Sequence, residues 1–559
     1  MKKPFLIILS SVLCIVLAVV AYFWVSAMIS SNYAFRSPIK DTPPAPGAAL
    51  GDASTRRVVI VLIDALRYDT SMNESIMPTL AKLRSEGAQA MMHSQAPSFS
   101  EPGYTTILTG AWPWLNDGPA FNLDYNEIPT FTQDNLFSAA HRDGLTTAIS
   151  GFNWFEKLVP QSAVNLSFYT AGEDNQADED VVAAALPWLK EDKAQLTLIH
   201  IDQVDYAGHH EGGPRSINWA KASTRADSLL AQIVSTLDLQ KDTILVISDH
   251  GQIDAGGHGG QDPIVLKEPF VLAGAGVKPG NYGDVNMVDV APTLAALLGV
   301  NIPASAMGEV RTPMLNLNES VTAALPAAVE KQQTTLLNTF ASAIGAKLDP
   351  GKIPSGANVS QYETVINELR VNREVKERIP RAILAGILLA LVVFWLIRQF
   401  KKGSMAWIIG GLTFIILFNF RYAIWDQKTY SVSSITSESA LISYVAITAA
   451  LALLIAWLAI MLDQRYFKLS PLAAAERTFG LIFTILFIAG LPAIFNFVIN
   501  GPLVTWTLPN YLFSFLFILS GIQVLVIALL GLVLVGLTAF IAYLVAKRSV
   551  KKAVKRVKK

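Results

Sequence analysis

Seven histidines occur in the 559-residue chain, and five of them (His200, His209, His210, His250 and His258) fall between positions 200 and 258. Scattered surface histidines do not cluster so tightly, and the cluster favours a metal site. Carboxylates accompany it. Asp205 stands four residues before His209, and Asp249 directly precedes His250. His258 lies within Gly256-Gly257-His258-Gly259-Gly260, where glycines allow close backbone approach and unusual φ. Taken alone, His258 reads equally well as a loop histidine. The Asp249-His250 pair eight residues earlier favours a ligand.

The elements that carry these groups repeat one design. Val58–Ile63 ends in Asp64, Leu196–Ile201 leads through Asp202 to Asp205 and His209, and Thr243–Ser248 ends in Asp249 and His250. Each run is rich in β-branched residues, and each puts its polar groups just past a strand's C-terminal end, where open parallel sheets assemble their sites. One aspartate there usually caps the next helix. Three such ends, two of them with Asp and His together, are not explained by capping. With a further run at Phe270–Ala273, the segment from Arg57 to about Pro313 predicts a soluble α/β domain whose parallel sheet is covered by helices on both faces.

Ser98-Phe99-Ser100-Glu101-Pro102-Gly103-Tyr104 precedes an apolar run to Gly110. Ser100 is placed as a helix N-cap and Pro102 within the first turn. The serine either only caps the helix or uses the same position for chemistry. A helix N-terminus offers a positive dipole end and free N–H groups, which favour an alkoxide and a bound phosphate. A serine hydroxyl needs activation at neutral pH. Metal coordination can supply it, and a second metal can position an attacking water or alcohol.

The ordered set Val-Leu-Ile-Asp64-Ala-Leu-Arg67-Tyr-Asp, Ser100-Glu-Pro-Gly, Asp205-Tyr-Ala-Gly-His209, Ser-Asp249-His250-Gly and Gly-Gly-His258-Gly resembles the alkaline phosphatase superfamily. Within it, the pattern is similar to the type I phosphodiesterase/nucleotide pyrophosphatase group, and more so to its glycosylphosphatidylinositol ethanolamine-phosphate transferases. Val288-Asp289-Val290-Ala291-Pro292-Thr293-Leu294 resembles the family's closing segment. The resemblance implies an alkaline-phosphatase-like, mostly parallel sheet sandwiched by helices. It implies two divalent metal ions, one held by Asp205, His209 and His258, the other by Asp64, Asp249, His250 and the Ser100 oxygen. Aspartate and histidine without thiolate suit Zn2+, with Mn2+ the alternative. Ser100 would be the nucleophile. Tyr104 stands where the family often has histidine, and Tyr104, Asn153 and Trp154 are the candidate substrate-binding residues. His200 reads as a sheet-core residue and His210 as a neighbour of the ligands or a solvated side chain; Asp202 has a weaker claim than Asp205.

The bulk composition fits a membrane-bound protein. Apolar residues make up 52% of the chain and charged residues 16%, too greasy for an ordinary soluble protein. Net charge is zero, so no nucleic-acid binding is expected. The single cysteine, Cys14, excludes an internal disulfide and a cysteine-based metal site. Residues 1–30 read as an uncleaved transmembrane anchor, the alternative being a signal peptide cleaved near Ala27. A linker at 31–56 precedes the catalytic domain at 57–315, and a helical stalk or cap at 316–381 follows it. Five further spans occupy 382–546, ahead of a basic tail at 547–559. Lys2/Lys3, Arg398/Lys401/Lys402, Arg465/Lys468/Arg477 and the tail fall on one side of a six-span topology; Arg421, Lys428 and the Gly501–Asn510 loop fall on the other. The basic bias makes both termini cytoplasmic and the catalytic domain extracytoplasmic.

The function expected is a membrane-bound phosphotransferase that moves a phosphoethanolamine-like group from a phospholipid to a glycan or lipid acceptor. Hydrolysis of extracytoplasmic phosphate esters by the same site is the first alternative. A non-catalytic membrane transport or assembly protein is the second, against which the intact ligand set argues. The expected partners are the bilayer and a phospholipid or glycolipid substrate.

Overall fold

The computed structural model describes residues 3–349, 351–354, 356–400, 405–435, 437–461 and 469–557. Eight strands form one sheet: β1 (Arg57–Ile63), β2 (Ala88–His93), β3 (Thr147–Phe152), β4 (Leu166–Thr170), β5 (Leu196–Ile201), β6 (Asp242–Ile247), β7 (Lys267–Gly274) and β8 (Gly280–Asn286). Their order is β4-β3-β5-β1-β6-β7-β2-β8. All neighbours pair in parallel except β7, which runs antiparallel to β6 and β2.

The central strands are buried on both sides because both faces are covered. Val58, Ile60 and Leu62 of β1 enter one core with Leu196, Leu198, Leu245 and Ile247. Val59, Val61 and Ile63 enter the other with Ile199, Ile201, Ile244 and Val246. The two-residue period of a strand makes this division, and its result is a run of unbroken apolar residues rather than an alternating one. At the end of β1 opposite Asp64, Arg57 Nη2 bonds Asp242 Oδ2 at 2.9 Å, with both side chains buried.

Helix Glu319–Ala343 and the start of helix Val359–Phe400 are not a separate stalk. Leu336, Leu337, Phe340, Tyr362, Val365 and Ile366 join the same core as β1, so the catalytic unit reaches well past residue 315. The linker is likewise docked: Ile39 is buried in that core, and Leu50 N–H donates to Gly299 O at 2.7 Å.

Among the described residues six helices are long and apolar enough to cross a membrane, and the chain is a multi-pass membrane protein. They are Lys3–Tyr33, Val359–Phe400, Met405–Asn419 with its continuation to Trp425, Glu438–Met461, Pro471–Ile499 and Tyr511–Val557. Cys14 is buried where the first packs on the others. Two of the connections between these helices meet the sheet domain. Gly260 N–H donates to Ser433 Oγ at 3.0 Å, and Trp506 and Leu508 pack against the domain core. Lys2, Lys401, Lys402, Arg465 and Lys468 lie outside the described residues.

Candidate active site

Strands β5, β1 and β6 are adjacent, so Asp205, Asp64 and Asp249-His250 leave the sheet side by side. Serine and histidine then meet at the centre: Ser100 Oγ lies 3.2 Å from His250 Nε2. The same nitrogen lies 3.4 Å from Asp64 Oδ1 and 3.3 Å from Asp249 Oδ2. Beside it, His209 Nε2 lies 2.9 Å from His258 Nε2 and 3.4 Å from Asp205 Oδ2, and His258 Nε2 lies 3.6 Å from Asp205 Oδ1. The His250 and His258 rings stack at 3.9 Å between centroids and join the two groups. All seven expected ligand residues therefore converge.

Ser100 is not the cap. It is the first residue of helix Ser100–Thr109, and Phe99 holds the cap position with no side-chain bond. The hydroxyl is thus left for other partners, His250 and Asn122 Nδ2 at 3.4 Å. Asn122 Oδ1 accepts from Glu101 N–H at 3.1 Å, which aims its amide across the helix N-terminus. Sequence reasoning missed Asn122; it sits in a long loop with no pattern around it. Gly103 permits the helix to come so close, since a Cβ there would stand 2.8 Å from Asp249 Cβ. Gly259, at φ +98°, lets the His258 loop pass the Phe99 ring.

The histidine tautomers are set from behind. His258 Nδ1 lies 3.0 Å from Ser98 O, and His250 Nδ1 lies 3.1 Å from Gly251 O. A carbonyl only accepts, so each Nδ1 carries the proton and each Nε2 presents a lone pair to the site. Burial lowers the His258 pKa well below its ordinary value, with His250 and His209 adding to the effect. Burial raises Asp249 well above the usual carboxylate range, with the charge of Asp64 adding, and burial also raises Asp205. Asp64 differs: burial opposes its charge, but the His200 bond and the neighbouring histidines hold its pKa low.

These features fit divalent cations. Asp64 Oδ1 and Asp249 Oδ2 are buried with no hydrogen-bond partner, and both face the His250 lone pair. Acceptors pointing at acceptors in a buried space require a positive charge between them. Asp64, Asp249 and His250 bring their donor atoms within 4.8 Å of one another, as do Asp205, His250 and His258.

Tyr104, a candidate substrate-binding residue, is buried one helical turn beneath Ser100. Its hydroxyl bonds Asp64 Oδ2 and lies 2.9 Å from His200 Nε2. His200 is in the sheet as expected, but its Nε2 also reaches Asp64 Oδ2 at 3.0 Å. Asp64, His200 and Asp202 thus form a third convergence beside the first two. The i, i+4 spacing of Ser100 and Tyr104 was the available signal. Trp154 is half-buried with its ring against Phe152. Asn153 Oδ1 is buried without a partner. His210 is exposed, its ring against Tyr206.

Residues 58–334 match the family model described as type I phosphodiesterase/nucleotide pyrophosphatase. This segment is a domain of that family. Curated relatives align over about half of the chain. Human GPI ethanolamine phosphate transferase 2, catalytic subunit, is 28% identical over 302 residues, covering 49% of this chain and 30% of that protein. GPI ethanolamine phosphate transferase 2 of Aspergillus fumigatus is 25% identical over 279 residues, 45% of this chain and 36% of that protein. The chain thus spans about a third of the length of these relatives. Among solved structures, human ectonucleotide pyrophosphatase/phosphodiesterase 5 aligns with a TM-score of 0.37 at 14% identity, over 44% of this chain and 95% of that one. The wild-type alkaline phosphatase PafA aligns with a TM-score of 0.37 at 12% identity, over 47% of this chain and 99% of that one.

Proposed function

We propose that this protein is a membrane-bound two-metal phosphotransferase. It moves a phosphoethanolamine-like group from a phospholipid to a glycan or lipid acceptor, with Ser100 as the nucleophile. The observation that carries the reading is the placement of Ser100 Oγ. It stands at a helix N-terminus, uncommitted to capping, 3.2 Å from the nitrogen on which Asp64 and Asp249 converge.

Asp64, Asp249, His250 and Ser100 Oγ would hold one divalent ion, and Asp205, His209 and His258 the other. When bound, such ions acidify the serine and acceptor hydroxyls and neutralise phosphate charge. The nitrogen and oxygen donors suit zinc, then manganese.

The chain's own groups supply the rest. At the start of helix Ser100–Thr109, Glu101 N–H is engaged by Asn122 Oδ1, Pro102 has no N–H and Gly103 N–H bonds Phe99 O, so Ser100 N–H and Asn122 Nδ2 are the donors that would meet a bound phosphate. Ser100 Oγ attacks phosphorus, its proton leaving to water; the new Ser–O–P bond forms as the bond to the lipid oxygen breaks, and that oxygen takes up a proton. An acceptor hydroxyl then attacks the same phosphorus and loses its proton to water, the Ser Oγ–P bond breaks, and Ser100 Oγ takes up a proton to restore the hydroxyl. Tyr104, whose burial keeps it protonated, donates to Asp64 throughout and holds that carboxylate in place.

A lipid donor is supported by where the site meets the membrane helices. Phe99 stacks edge-on to His258 at 5.6 Å and lies 5.0 Å from Phe121. Phe121 in turn reaches Tyr33 at the end of the anchor helix and Tyr511 at the start of the last one. The relatives' names, GPI ethanolamine phosphate transferases, agree with an ethanolamine phosphate group as what is moved. We further place the catalytic domain outside the cytoplasm, with both termini inside, from the basic bias of the loops.

Mass spectrometry of membrane lipids and glycans, from cells with the wild-type protein and with Ser100→Ala, tests the reading. A phosphoethanolamine-sized adduct that disappears in the variant supports transfer. An unchanged adduct pattern with a changed pool of free headgroup or phosphate would assign hydrolysis instead.

A further inference from the structure

A second cavity, of about 220 Å³, lies away from the metal-ligand residues, between helix Val359–Phe400 and the Ile499–Asn510 connection. Its level in the molecule follows from the sequence of its walls. Helix Val359–Phe400 is charged up to Arg381 and wholly apolar from Ala382 to Ile397. Helix Pro471–Ile499 ends at the cavity, and the loop after it carries Trp506. A change from charged to apolar helix beside a tryptophan marks a membrane–water interface.

The lining is cationic. Arg370, Arg378 and Arg381 face it with Glu374 and Glu377, and both carboxylates are already taken. Glu374 pairs with Arg378 at 2.7 Å. Glu377 pairs with Arg381 at 3.0 Å and with Arg373 at 3.2 Å, and accepts from Trp506 Nε1 at 3.0 Å. Three arginines against two engaged glutamates leave the lining an excess of one positive charge. Arg370 has no carboxylate partner: its guanidinium lies 4.7 Å over the Trp114 ring, and its Nε is buried with no hydrogen-bond partner. Thr507 Oγ1, in the same lining, is also buried without a partner. Arg370 and Thr507 thus line one space, each with a polar atom that has no partner in the protein.

We propose that this cavity binds the phosphate group of a phospholipid headgroup. Arg370 would grip phosphate oxygens through its planar fork, and Thr507 Oγ1 would donate a further bond. The acyl chains would lie along the apolar half of helix Val359–Phe400. No nucleophile or convergent metal-donor set lines the space, so the lipid is held rather than cleaved.

Hydrogen exchange of the full-length protein in detergent micelles tests this, because it reads the cavity separately from the active site. Dihexanoylphosphatidylglycerol should slow exchange of the amides at 503–508, and inorganic phosphate at the same concentration should not. In Arg370→Gln the lipid concentration giving half-protection should rise at least tenfold, while Arg370→Lys, which keeps the charge, should fall between. Absence of protection in the wild-type protein would overturn the proposal whatever the variants do. Equal half-protection in wild type and Arg370→Gln would overturn it too, and equal protection by inorganic phosphate would overturn the lipid as the source of the anion.

Discussion

Tyr104 donates its phenolic hydrogen to Asp64 Oδ2, and so decides which oxygen of that carboxylate is left for a cation. His200 Nε2 approaches the same oxygen at 3.0 Å. Oδ1 remains buried without a partner, facing His250. Partners that orient a metal ligand from behind typically contribute 10–100-fold to metal affinity or activity. Tyr104→Phe keeps the ring packed on Phe155 and removes only the hydroxyl. We expect metal affinity, read by competition with a chromogenic chelator, to fall about 10–100-fold, and turnover to recover at excess metal. An unchanged affinity would remove Tyr104 from the site's support.

Gly103 offers a test of the close approach between helix and metal-ligand strand. Alanine in a helix interior is ordinarily favoured over glycine by about 1 kcal/mol. Here its Cβ would stand 2.8 Å from Asp249 Cβ and 2.9 Å from Asp249 O. Neither neighbour is a flexible side-chain end, so Asp249 must move. Gly103→Ala should lower metal content per chain by elemental analysis and reduce turnover by about a hundredfold.

At the N-terminal ends of the central strands β1 and β6, Arg57 and Asp242 form a buried pair, with Arg56 also bonded to Asp242. Burial alone would raise the Asp242 pKa, but the two guanidinium bonds hold it below the ordinary value. A depressed pKa adds stability above the unfolded-state value and loses it as pH falls towards the folded one. The contribution should therefore disappear below about pH 4. Asp242→Asn leaves Arg57 with only the half-exposed Asp192 carboxylate at 3.0 Å and the Leu189 carbonyl, so the cost should fall below the roughly 3–5 kcal/mol of a fully unpaired buried charge. Thermal unfolding in detergent at pH 7 should show the loss, and the gap from wild type should narrow at acid pH.

The parts of this architecture legible in the sequence are those that chemistry repeats. β1, β5 and β6 show as β-branched runs because both their faces are buried, and each ends in candidate ligands. β2, with alternating exposure, and β8, with Gly280 and Gly283, carry no such run. The candidate ligand set was legible because a helix cap past a strand end needs only a lone aspartate, not the histidine that accompanies two of them here. Asn122 and Tyr104 were not. Asn122 reaches Ser100 only through the fold of a loop, and Tyr104 is buried by a helix that runs into the core. The contact of Ser433 with the His258 loop joins residues 173 positions apart, which no local pattern encodes.

Topology has its own test. Cys14 is buried, so introduced cysteines report cleanly. Asn510→Cys should react with an impermeant maleimide applied to intact cells. Lys551→Cys should react only after permeabilisation. The reverse pattern would turn the catalytic domain to the cytoplasm.

The central claim is that Ser100 attacks phosphorus. Brief reaction with a chromogenic phosphodiester, followed by acid quenching and peptide mass spectrometry, reads it directly. The account predicts a phosphoester on the peptide containing Ser100, and in Ser100→Ala neither adduct nor turnover, with about two metals still bound per chain. Wild-type turnover in Ser100→Ala, or an adduct on another residue, would contradict it.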